Sequence, residues 1–158
     1  MKINGRGLGD HIRLLWPLFV LIAAVWALRM GLAAVEAPRL LVQVISVTVA
    51  ATFCVLLAVL FIHARNFGGY SNVVLAVFLL ALWEQLLIAS AIAFTALSGI
   101  PTIYAAPEFS GGLSAARHIE GQLTFALGMG TLLGSGMGCL LFWLLRKIEP
   151  HPLRSSNG

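Results

Sequence analysis

Charge is what this chain has least of. Asp, Glu, Lys and Arg make up 10% of its 158 residues, and six of them are acidic. A soluble domain carries about a quarter charged residues, so this sequence has too little charge to cover a water-facing surface. Cysteine is nearly missing too. Cys54 and Cys139 stand singly, without a C-x-x-C pair, which argues against a membrane thiol oxidoreductase and leaves two inert thiols in hydrocarbon. There is no Walker loop, no H-E-x-x-H and no G-x-S-x-G. His63 and His118 fall near opposite faces of the membrane and no histidine is expected inside a spanning helix, so a haem held by paired histidines is not expected. These absences leave no cofactor and no metal to assign.

What is abundant is apolar sequence, 59% of the chain, gathered into four long runs. They are Leu14 to Ala34, Leu40 to Phe61, Val73 to Ser98 and Gln122 to Leu145. Each is about 20 residues or more, enough to cross about 30 Å of hydrocarbon at 1.5 Å per residue. The expected fold is all-α: a polytopic four-helix membrane bundle forming one domain, with an outer loop over 99–121 and a tail over 146–158. The first run follows Lys2, Arg6 and Arg13, as a signal peptide would. It is longer than a signal peptide's apolar core, Arg29 interrupts its end and Pro38 follows Ala37, so it is read as a helix.

Lys2, Arg6, Arg13, Arg65, Arg146, Lys147 and Arg154 lie on one side of these spans, against Arg39 and Arg117 on the other. The positive-inside rule then puts both termini in the cytoplasm, in the inner membrane if the source is bacterial. Trp16, Tyr70 and Trp143 fall at the inner boundary, where an aromatic belt forms. The net charge of +4 is thus a topology signal. The expected partner is the lipid bilayer, whose anionic heads the basic ends can touch. Nucleic acid is not expected, because the charges are few and dispersed.

Pro38 suits the start of the second helix, Ser71 or Asn72 is available to cap the third, and Arg117 and Glu120 stand three residues apart on a helical extension expected from Ser114.

Three groups of residues are candidates for function. Glu84 lies deep in the third run, where a lipid-facing carboxylate costs at least about 2.5 kcal/mol, so it is expected to face protein or water. Arg29, Trp26, Thr48 and Thr52 are expected near its level. Arg29 is a pairing candidate for it or else a snorkelling side chain, and the Trp26 indole is a candidate donor. The functional reading is a proton or cation site; the structural one is a bond fixing helix one to helix three.

The second group is glycine. Gly130, Gly134 and Gly138 form a small-xxx-small stripe, with Gly128 and Gly136 on other faces. Packing within the monomer is preferred here over homodimerisation, and Gly134 is expected level with Glu84. The third group is the outer loop, where Tyr104, Glu108, Arg117, His118 and Glu120 include acid, base and donor types. His118 is expected to be exposed.

Three functions follow. The first is an assembly or accessory subunit docking on itself or on other membrane subunits through glycine faces. The second is a small oligomeric transporter or channel using Glu84, and the third an enzyme of the outer loop. The scarcity of chemistry weighs against the enzyme.

Overall fold

The computed structural model describes residues 2–3, 6–106 and 111–148. A two-residue antiparallel ladder, β1 (Lys2–Ile3) with β2 (Arg6–Gly7), leads into α1 (Leu8–Ala34). There follow α2 (Arg39–Val44), α3 (Val47–Ala64), α4 (Tyr70–Ser98), a 3₁₀ turn (Ile103–Ala105) and α5 (Ala115–Gly121). A π-helical turn (Gln122–Ala126) joins α5 to α6 (Leu127–Ile148) without a break in the rod. Four helices are long and apolar enough to cross a membrane: Leu8–Ala34, Val47–Ala64, Tyr70–Ser98 and Ala115–Ile148. The chain is a multi-pass membrane protein.

Its surface fits that reading. Leu97, Leu40, Phe125, Leu132 and Trp16 are among many large apolar side chains left exposed, a distribution that would aggregate in water and that lipid tails cover in a bilayer.

α4 and α3 form the centre of the bundle. α4 packs against α1, α3 and α6, and α3 packs against α1, α4 and α6. Two side-chain donors tie α1 to the central pair. Trp83 Nε1 of α4 donates to the Phe19 carbonyl at 3.0 Å, and Cys54 Sγ of α3 approaches the Leu18 carbonyl at 3.9 Å. Between apolar helices in lipid there is no hydrophobic gain in association, so close packing and such bonds must hold them.

The glycine stripe supplies the close packing. A Cβ on Gly134 would lie 2.8 Å from Val77 Cγ1, and one on Gly138 would lie 3.1 Å from Val73 Cγ1 and 3.3 Å from Val59 Cγ2. Gly130 faces Ala81 at 3.9 Å, while a Cβ on Gly128 or Gly136 would meet nothing within 4 Å. The stripe is therefore occupied within the monomer. Gly134 is level with Val77, about 10 Å along α4 from Glu84, so the two do not share a layer as expected. Each still stands 14 residues from its own helix end, at Tyr70 and Ile148, so the offset is one of packing: α6 seats Gly134 against Val77, a shift along α4 that counting within single helices does not show.

Other boundaries differ as well. The second apolar run is not one helix but α2 and α3, broken at Ile45 and Ser46. Ser46 is extended (φ −101°, ψ 126°), and its hydroxyl accepts from the Val49 amide at 3.4 Å, restarting the helix as a cap. Neither Ser71 nor Asn72 caps α4; Gly69 holds that position, and Asn72 turns inward. α1 starts six residues before the apolar run and takes His11 into its first turns, fully buried, contrary to the expectation of no helical histidine.

His11 fastens the start of α1 to the start of α4. Its Nδ1 lies 2.9 Å from the Gly7 carbonyl and its Nε2 3.0 Å from Asn72 Oδ1. Its ring meets Phe67 edge-on at 5.0 Å. On the other side of α4, Phe142 receives the edges of Tyr70 and His63, with Arg146 over its face.

Candidate functional site

The candidate site lies midway along α4, on its side toward the connection 99–114. Glu84 is the fifteenth of the 29 residues of α4, about 21 Å from Tyr70 along the axis, and only 6% exposed. The apolar pattern of α4 buries Leu80, Ala81, Ile88, Ala91 and Ile92 around it. A carboxyl is thus built into a face that packs on protein.

The break in the second span brings polar groups to that level. Because α3 restarts at Val47, Thr48 stands in its first turn, a polar neighbour of the Glu84 carboxyl. The free amides of a helix N-terminus and its dipole favour negative charge nearby. Discontinuous helices that aim their ends at a buried polar site are a recurrent device of membrane transporters. Glu84 Oε1 has no hydrogen-bond partner among the described residues.

α1 supplies Arg29, which is buried rather than snorkelling. It is covered by the loop: Tyr104, in the 3₁₀ turn, is 6% exposed and places its ring 5.1 Å from the Arg29 guanidinium carbon. Burial pushes the Tyr104 phenol above its ordinary value, against the opposing charge of Arg29, and Glu84 adds to the upward push; the phenol oxygen is itself buried without a hydrogen-bond partner among the described residues. Tyr104 therefore senses both Arg29 and Glu84. Trp26, one turn before Arg29, does not donate to Glu84 as expected; its Nε1 is buried without a partner among the described residues. Gln85 Oε1 is likewise buried and unpartnered. An unpaired buried polar atom costs about 1–3 kcal/mol, and Trp26, Glu84 and Gln85 all contribute one on facing helices α1 and α4. Thr52 bonds the Thr48 carbonyl at 2.8 Å and takes no part.

The loop is pinned where it enters. Thr102 donates its hydroxyl to the Ala91 carbonyl at 3.3 Å, and Thr95 donates to Thr102 Oγ1 at 2.8 Å while accepting from the Thr102 amide at 3.1 Å. This clasp folds the connection back onto α4 and carries Tyr104 to Arg29. Thr95 and Thr102 were invisible as a pair in sequence, since six residues separate them, with a left-handed Gly99 (φ 72°) among them.

The outer-loop group does not assemble as a set. His118 is buried, not exposed, with Gln122 Nε2 3.3 Å from its Nε2. It lines a small cavity of about 200 Å³ with Ile92, Thr95 and Ala105. Arg117 and Glu120 are exposed, and Glu108 lies outside the described residues. His118 is buried because α5 continues the rod of α6 and lays one face against α4. No protein family matches this chain, and neither does any curated protein or solved structure.

Proposed function

We propose that the protein is a small membrane transporter or channel subunit in which Glu84 binds the transported proton or small cation. The observation that carries this reading is one buried carboxyl, with an unpartnered oxygen, placed where α1, α3, α4 and the loop turn converge. Intramembrane carboxyls on protein-facing surfaces mark ion and proton paths by default. In this scheme Glu84 takes up the cation, Thr48 and the start of α3 hold the emptied carboxylate, and Tyr104 over Arg29 closes the loop side. The decisive experiment is flux in reconstituted vesicles containing a pH-reporting dye. The wild type dissipates an imposed pH gradient and E84Q does not; equal flux in both removes the proposal.

A second reading, the accessory subunit, has one specific support. The central glycine stripe is occupied inside the chain, but Gly128 opens onto a groove between α4 and α6 that includes Thr131 and Ser135. A small residue facing such a groove lets a partner helix approach closely. Co-purification of a stoichiometric membrane partner that G128L abolishes would favour it.

A further inference from the structure

Three arginines from three elements meet at the end of the bundle where α1 begins, away from the polar layer of Glu84. Arg6 of β2, Arg13 of α1 and Arg65 after α3 line a cavity of about 190 Å³ together with Asp10, Leu14 and Phe67. The wall is held rigidly. The Arg6 guanidinium stacks on Phe67 at 5.0 Å, Phe67 receives the edge of His11, and His11 is locked between Gly7 and Asn72. The one acid present is engaged: Asp10 Oδ2 accepts the Gly7 amide at 2.8 Å, as part of the cap that starts α1. Three guanidiniums against one occupied carboxylate leave a positive cavity.

Its level identifies the occupant. Leu14 is the first residue of the apolar run, and the exposed Trp16 follows within one turn, so the arginines stand where the hydrocarbon ends and headgroups begin. Guanidinium forks match phosphate oxygens, and the space accommodates a phosphodiester with a small substituent. We infer that this cavity is a binding site for the phosphate of an anionic glycerophospholipid in the leaflet on the side of the termini. The chain thus has a built lipid contact, separate from its polar layer and independent of any transport role.

The test is native mass spectrometry of the full chain in non-ionic detergent, with phosphatidylglycerol or phosphatidylcholine added. The wild type is expected to retain phosphatidylglycerol preferentially, with each arginine contributing about fivefold. R6Q/R13Q/R65Q should reduce retention to the phosphatidylcholine level, while R146Q/K147Q, at the other basic cluster, keeps it. Should the triple variant fail to fold, R13Q and R65Q alone, both at exposed positions, each show the fivefold loss. Unchanged retention in these variants, or an equal loss in R146Q/K147Q, overturns the inference. So does displacement of the lipid by millimolar inorganic phosphate that itself remains bound, which would make the site one for free phosphate.

Discussion

The Arg29 guanidinium carbon stands 5.1 Å from the centre of the Tyr104 ring, joining the first spanning helix to a turn that begins more than seventy residues later. Cation over aromatic face contributes about 2 kcal/mol when desolvated, and both residues are buried. Y104A is therefore expected to lower the detergent melting temperature, with Y104F keeping most of the stability. Equal losses in the two variants would show that the hydroxyl, not the ring, makes the contact.

Tyr104 also makes an alkaline prediction. Its phenol is raised above the ordinary value of about 10 in the folded protein, mainly by burial. A raised folded value means that the unfolded chain ionises first. The resulting stability is complete below about pH 10 and is lost as pH rises through the folded value. Thermal unfolding at rising pH should show that decline in the wild type, and Y104F should flatten the part due to this residue. An ultraviolet titration of Tyr104 with a midpoint below 10 would contradict it.

The clasp that delivers Tyr104 should be separable from it. T95V removes the hydroxyl that both donates to Thr102 and accepts its amide. Hydrogen exchange across residues 102–106 is expected to accelerate by about tenfold, from the loss of about 1.4 kcal/mol in those bonds, while exchange in α3 stays unchanged. Unaltered exchange at 102–106 would mean the turn is held by packing alone.

Glycine substitutions should sort by face. G134A forces a methyl to within 2.8 Å of Val77 Cγ1 and is expected to destabilise by about 1–3 kcal/mol. G136A meets nothing within 4 Å and gains helix propensity, so it should be neutral or mildly stabilising. Melting in detergent distinguishes them, and a reversed order would place the packed face elsewhere.

At the other end, N72A removes the partner of a fully buried His11. The expected cost is about 1–3 kcal/mol for the orphaned ring nitrogen, read as a lower unfolding midpoint. An unchanged midpoint would show that the Gly7 carbonyl alone satisfies the histidine.

How much of this was legible depended on whether a residue's environment is local. Glu84 stood out because a carboxyl in a long apolar run must be shielded wherever it lies. The packing role of Gly130, Gly134 and Gly138 was likewise readable from four-residue spacing, although the valines that fill the stripe were not. Arg29 was read ambiguously, since a guanidinium about a turn and a half from a helix end can snorkel or turn inward, and only the presence of Tyr104 decides. His11 carried no signal, and Asn72 was readable only as a cap candidate. Each is an ordinary polar residue at a helix end, and they meet across 61 residues only because α1 and α4 start at the same level.

The sequence by itself determined the solvent and the number of spans. Long apolar runs with 10% charge admit helices in lipid, because every backbone bond can then be made within a segment. Tertiary structure decided what the scarce polar groups do. The break at Ser46 brings Thr48 to Glu84, and the Thr95–Thr102 clasp lowers Tyr104 onto Arg29. The β2 strand and Phe67 gather three arginines at the far end. Those meetings depend on helix register and loop return, which hydropathy does not encode.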